Sequence, residues 1–466
     1  MSSQLASVVT ILVIFYLFYI DQKNRVDKVS RALWVPYAWM FISGSRFISL
    51  WLDPGASFRS PESYMDGSPL DRMVFLLLIM LGIVILLRRK LNWKLLFRNN
   101  MWIILLLLYE LTSIIWSDYS FISFKRWIKA LGTPVMALVI LTEKRPLETL
   151  GILFRRLSFI LLPLSILYIK YYPHLGRAYH MGQPMFTGVA TQKNGLGQLC
   201  LILSTYYYWD LLFNPHKNKH MSRYKRFFHS LLILSMAGWL LYMANSSTSW
   251  GCLIIAIGIL TVSKIPSVSR KPGRIIGIGV IAIAVLVILE FSIDLTAKLI
   301  VAMGRDITLT TRVPMWNTLL SMARSPWFGF GHESFWLGNR LNVLFEMFGG
   351  LNQAHNGYLE TYLNIGIFGL ALIIAVIVTG LVNVRAQMKY DYRFAIIKLT
   401  FIVVVAVYNW TEATLHGVNN ILLLLYLSVI EVHVKNTAPS FAELSRSASY
   451  HQYTDIESSE IPGRES

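Results

Sequence analysis

The sequence predicts an all-α polytopic membrane protein, a transmembrane helical bundle of about twelve to thirteen spans. Three observations carry that expectation. Of the 466 residues, 55% are hydrophobic and only 15% are charged, far from the composition of a soluble globular chain. Apolar runs of about 15–25 residues recur from end to end, each long enough or nearly so to cross roughly 30 Å of hydrocarbon as a helix. Helices fit because each satisfies its backbone polar groups within the segment. The net charge of +18 sits in short Lys/Arg clusters between apolar runs, where topology signals lie. That placement argues against nucleic acid as a partner.

Spans are expected near 4–20, 32–52, 73–87, 101–116, 128–141, 157–169, 195–213, 229–244, 249–263, 275–292, 358–384, 394–410 and 418–433. The first lacks a basic stretch before it and an A-x-A site after it, so it is expected to be a span and not a cleaved leader. Cys200 and Cys252 both lie inside apolar spans and read as small hydrophobes. The connections at 21–31, 88–100, 142–156, 214–228, 264–274 and 385–393 carry 4, 5, 4, 5, 4 and 3 Lys/Arg. The positive-inside rule places these on the inner side and the cation-poor connections on the outer side.

The longest connection, about 293–357, falls on the outer side. Residues 1–433 are thus expected to form one membrane domain, with a polar, Ser- and Glu-rich tail at 434–466. No fixed-period repeat, Gly-rich phosphate loop, zinc spacing or nucleotide-binding domain is seen, so any chemistry is expected within the membrane or at its outer face.

Three outer-side segments gather polar residues. In "GVATQKNGLGQLC" (188–200), Lys193 and Asn194 precede a helix expected to begin with Gly195 and Gly197, whose free N–H groups favour an anion; a lysine snorkelling at the interface is the alternative. In "MGRDITLTTRVPMWNTLLSMARSPWFGFGHESFW" (303–336), Arg305 and Arg312 are seven apart, and guanidinium groups suit phosphate. Trp327, Phe328 and Trp336 read as an interfacial aromatic belt, and Arg324 as solvated. In "LNQAHNGYLETYLNIGIFGL" (351–370), His355 and Asn356 precede an apolar helix, with Glu360 one turn on. Such a carboxylate is costly near hydrocarbon unless paired or wet. The same cost flags Arg46, Glu110 and Arg126, while Glu290 and Lys398 read equally well as structural.

Together these segments resemble the O-antigen ligase and polysaccharide polymerase superfamily of bacterial membrane proteins, particularly its exopolysaccharide-polymerase branch. The resemblance rests on "TQKNGLG" (191–197), "GRDITLTTRVPMW" (304–316) followed by "SPWFGFGHESFW", and "AHNGYLETYLNIGIFGL" (354–370). "LTSIIWSDYSFISFKRW" (111–127) resembles the family's upstream Trp-Ser plus basic motif. Order and spacing fit across roughly residues 100–430. The sequence departs at Gln192, where the family often has His, and at Thr311, where it commonly has Gly.

The resemblance implies glycosyl transfer from an undecaprenyl-pyrophosphate-linked oligosaccharide at the periplasmic face of the bacterial inner membrane, in exopolysaccharide or O-antigen biosynthesis. It implies no metal or nucleotide sugar, and an inverted anomeric centre. His355 is the expected general base and Arg312 the expected catalytic cation. Lys193, Asn194, Arg305, Arg126, Glu360 and Trp316 are the expected substrate-binding residues. Chain-length regulators and export proteins are implied partners beside the membrane lipids. Polymerase and ligase, the latter attaching the glycan to lipid A-core, share this donor chemistry. A lipid-linked-glycan flippase is the rival from another class, although transporters usually place polar residues near the midplane of paired halves.

Overall fold

The computed structural model describes residues 1–23, 30–54, 67–180, 182–214, 223–271, 273–275, 312–348 and 352–432. The expected span at 275–292 (beyond its first residue), Arg305, Glu290 and the tail lie outside these residues.

The all-α expectation holds. Before the first strand come α1 (Ser3–Lys23), α2 (Trp34–Ser43), α3 (Ile48–Leu52), α4 (Pro69–Leu87), α5 (Trp93–Asn99), α6 (Met101–Thr112), α7 (Ser120–Ala130), α8 (Gly132–Leu141) and α9 (Pro146–Tyr171). A short antiparallel hairpin follows, β1 (Arg177–His180) and β2 (Gln183–Phe186), with Arg177 opposite Phe186. Then come α10 (Lys193–Phe213), α11 (Arg223–Ala244), α12 (Ser247–Lys264), α13 (Arg312–Ser321), α14 (Asn339–Met347), α15 (Gly357–Gln387), α16 (Tyr392–Thr411) and α17 (Asn420–Val429).

Among the described residues, seven helices are long and apolar enough to cross a membrane: α1, α4, α9, most of α11, α12, α15 and α16. The sequence-predicted spans map onto them unevenly. The run at 157–169 is the centre of the 26-residue α9, whereas 128–141 yields the ten-residue α8 and 418–433 the ten-residue α17. The run at 32–52 divides into α2 and α3 at Gly44–Phe47, and 101–116 meets α5 at a bend of 84°. Hydropathy alone does not see these breaks, because polar backbone freed at them is bonded by neighbouring segments.

α10 packs on α11 and α12, α16 on α12, α15 and α17, α6 on α15, and α1 on α9. The core between them holds fully buried Trp39, Trp209, Phe154, Phe159 and Phe401. Phe15, Tyr19 and Leu77 are more than half exposed on α1 and α4, which is the surface a helix offers to lipid. A second, smaller cluster joins α13, α14 and the 330–336 loop through Met315, Leu319, Phe335, Trp336 and Leu344.

That loop is bound to a break in α15. At Ile365 (φ −128°, ψ 15°) and Gly366 (φ 66°, ψ −168°) the helix leaves α geometry. The backbone groups released there are met by the aromatic loop. Phe330 N–H donates to Leu363 C=O (3.1 Å), Gly331 N–H to Asn364 C=O (2.7 Å) and Ile367 N–H to Pro326 C=O (2.8 Å). Gly366 occupies a region open almost solely to glycine, and a Cβ there would run into the Trp327 carbonyl. A Cβ at Gly329 would lie 2.6 Å from the Asn364 carbonyl. Gly366→Ala is therefore expected to cost about 2 kcal/mol or more. A lowered thermal midpoint in detergent reports it; an unchanged midpoint would mean that the break tolerates a side chain.

Candidate active site

The site begins where α16 stops. Asn409, in its last turn, accepts from Thr414 N–H (2.8 Å) and Thr414 Oγ1 (3.0 Å), the local competition that ends helices. Asn419 donates to the Thr414 and His416 carbonyls at 3.1 and 3.0 Å. The turn so stitched presents Glu412 and His416. The Glu412 carbonyl accepts from Gly357 N–H at 3.0 Å, which fixes the turn to the start of α15.

The Glu412 carboxylate is 7% exposed and collects three sequence-predicted residues. Its Oε1 accepts from Asn194 Nδ2 at 2.8 Å and lies 3.6 Å from Arg312 Nη2. Its Oε2 lies 3.5 Å from His355 Nδ1. Arg312 also donates through Nη1 to the Thr411 carbonyl at 2.8 Å. Residues from α10, α13, the loop before α15 and the end of α16 thus meet on one carboxylate. Lys193, the first residue of α10, is the chain neighbour of Asn194.

His355 is held by its backbone. Its φ of 49° is left-handed, a conformation uncommon outside glycine. On one side, the Ala354 carbonyl accepts from Trp316 Nε1 at 2.8 Å, and Ala354 N–H donates to Glu360 Oε2 at 2.8 Å. On the other, the Asn356 side chain caps α15 by accepting from the Tyr358 and Leu359 N–H groups, both at 3.0 Å. The Glu360 carboxylate also accepts from Trp336 Nε1 at 2.5 Å and Asn364 Nδ2 at 3.2 Å. Trp336, expected in an aromatic belt, is instead 3% exposed and spent on that carboxylate. Trp327 and Phe328 are exposed as expected.

Arg126 belongs to a neighbouring ionic cluster. Its Nη1 donates to the Glu333 carbonyl at 2.7 Å and its Nε lies 3.9 Å from the Glu333 carboxylate. His416 stands between two acids, 3.7 Å from Glu333 Oε1 and 4.0 Å from Glu360 Oε1. Burial disfavours the Glu333 charge, but the neighbouring His416, His332 and Arg126 outweigh it and hold the carboxyl well below its ordinary range. Burial likewise pushes His416 down, and Glu333 and Glu360 reverse this, leaving the imidazole above its ordinary value. For His332 burial outweighs the attraction of Glu333, and His416 and Arg126 add to it, so the imidazole is carried down to about 4. Arg324 is exposed beside Asp118 (3.3 Å), and Lys398 is tied to Glu431 (3.5 Å).

Glu412 and Asn194 form part of the wall of a cavity of about 700 Å³. Its other walls come from the α2–α3 turn, the residues around β1, the first turns of α10 and Gln353. That volume lies within the range of small-ligand sites.

A family profile described as O-antigen ligase matches residues 231–374. The match runs from α11 past the break in α15 and contains Arg312, Trp316, His355 and Glu360. Over those residues the chain is similar to the O-antigen ligase family, which supports a place in the O-antigen ligase and polysaccharide polymerase superfamily. No curated protein matches it. With the long apolar helices, the match supports an integral membrane protein of the ligase/polymerase kind, and the O-antigen ligase family acts on lipid-linked glycans.

Glu412 and His416, both beyond the matched residues, are the functional candidates that sequence reasoning missed. Glu412 falls two residues past the apolar run at 394–410, where the rule that flagged Glu360 also applies: a carboxylate beside hydrocarbon needs a partner. Spacing offers no sign that the partners would be Asn194, Arg312 and His355.

The His416–Glu333 pair makes stability depend on pH. His416, raised above 6.5 in the fold, contributes fully below pH 6.5 and loses its contribution as pH rises through the raised value. Glu333, lowered from 4.5, contributes above pH 4.5 and loses it as pH falls through the lowered value. Both contributions are whole between pH 4.5 and 6.5. Thermal midpoints in detergent are expected to decline above that window in the wild type and to decline less in His416→Gln. Parallel curves for the two proteins would remove His416 from the network.

Proposed function

We propose that the protein is a polysaccharide polymerase that transfers a growing glycan from undecaprenyl pyrophosphate to a new lipid-linked repeat unit at the periplasmic face of the bacterial inner membrane. The observation that carries this reading is the meeting of Asn194, Arg312 and His355 on Glu412 at the cavity wall.

The arrangement supplies both halves of the reaction. With Nδ1 turned to Glu412, His355 has Nε2 left to take the proton of an acceptor hydroxyl. The carboxylate fixes the tautomer and stabilises the imidazolium that forms. The hydroxyl oxygen bonds to the anomeric carbon as the bond from that carbon to the pyrophosphate oxygen breaks, and the electron pair leaves on the pyrophosphate. Arg312 neutralises that charge, joined by Lys193 at the start of α10 and by the N–H groups of the helix. These cations do the work a metal would otherwise do. Attack opposite the leaving group inverts the anomeric centre. Asn194 holds Glu412 while Arg312 turns to the substrate. Trp316 and Glu360 act through Ala354 to keep His355 in its left-handed conformation.

Purified protein given a lipid-pyrophosphate repeat unit is expected to make a ladder of longer glycans on a gel. His355→Ala is expected to slow this about 10²–10⁴-fold, the usual worth of a general base. Arg312→Ala should also abolish the ladder. Full-length polymer from both variants, at normal expression, would sink the assignment. Deletion separates polymerase from ligase: unpolymerised single repeats are expected, whereas long lipid-linked chains never attached to an acceptor would indicate a ligase.

A further inference from the structure

The cavity holds more positive charge than the proposed chemistry uses. Arg46, in the α2–α3 turn, is 9% exposed. Its Nη2 donates to the Gly188 carbonyl at 3.1 Å and to the Leu175 carbonyl, and its guanidinium lies 5.9 Å from the Tyr168 ring centroid. Arg177, half-buried in β1, gives Nε and Nη2 to the Ile169 carbonyl at 3.1 and 2.8 Å. Both arginines line the cavity, and among the described residues neither is within ion-pair distance of a carboxylate. Burying a guanidinium without an anion is costly. Glu412 is the single carboxylate among the lining residues, and its charge faces Arg312. Gln198, also in the lining, has a buried Nε2 with no hydrogen-bond partner, so it too is a donor in want of an acceptor. A neutral sugar offers hydroxyls to such a wall, but no charge for the two guanidinium groups.

We propose that the repeat unit this protein takes is acidic, with a sugar carboxylate received by Arg46 and Arg177 and supported by Gln198. This rests on the reading that the cavity holds the lipid-linked glycan. Carboxylate and pyrophosphate present the same oxyanion chemistry, and the experiment separates them. Cells lacking the protein accumulate its own lipid-linked repeat unit, and mass spectrometry of that unit is expected to show a carboxyl group on a sugar. A repeat unit without one overturns the proposal. If no repeat unit accumulates, the polymerase reading itself fails.

Purified full-length protein is then given the extracted unit before and after its carboxyl groups are reduced to alcohols. Reduction is expected to lower kcat/KM at least about tenfold in the wild type, the scale on which a site built for a polar group rejects its absence. In Arg177→Gln the two forms are expected to differ by less than about twofold, by the same argument. Equal use of both forms by the wild type overturns the proposal without recourse to any variant. An equal loss on both forms in Arg177→Gln assigns the arginines to the pyrophosphate and overturns it as well.

Discussion

A carboxylate at the end of a transmembrane helix cannot stand unpaired, and the site is organised by that constraint. Glu412 is buried where α16 ends. Its two oxygens are answered by an amide from α10, a guanidinium from α13 and an imidazole from the loop before α15. None of these groups is near another in sequence. What joins them is the need of one charge for hydrogen bonds and a counter-ion in surroundings that supply little water. Glu360 repeats the pattern one layer away, collecting Ala354 N–H, Trp336 and Asn364.

The second organising contact is the aromatic loop laid against the break in α15. A helix that opens in an apolar bundle exposes carbonyls and N–H groups, and here residues 326–331 bond to them. The glycines of the loop allow the backbones to approach, and Trp336 carries the connection on to Glu360. Through Glu360 and Trp316 the same assembly reaches Ala354, so the conformation of His355 depends on packing around the loop.

Much of this was legible in the sequence, and the missing parts share a cause. Apolar period and charge alternation predicted a helical membrane bundle, and Lys193, Asn194, Arg312 and His355 were visible as polar groups at helix starts. Composition could not show that 32–52 breaks at Gly44–Phe47, because the break is stabilised by Arg46 reaching carbonyls more than a hundred residues away. It could not show that Trp336 is buried, since an aromatic beside glycines suits an interface as well as a core. Glu412 was hidden for the same reason: its partners are set by tertiary contacts, while sequence patterns register neighbours along one helix.

The break in α15 also sets a depth. The 22 residues from Gly366 to Gln387 are about 33 Å long as a helix, already enough for a hydrocarbon core of about 30 Å. The nine residues before the break, Gly357 to Ile365, are surplus to crossing and rise about 13 Å further along the chain. On the proposed reading, this surplus places His355 beyond the segment needed for crossing, and a polyprenyl carrier would present its pyrophosphate there with its hydrocarbon tail still in the bilayer.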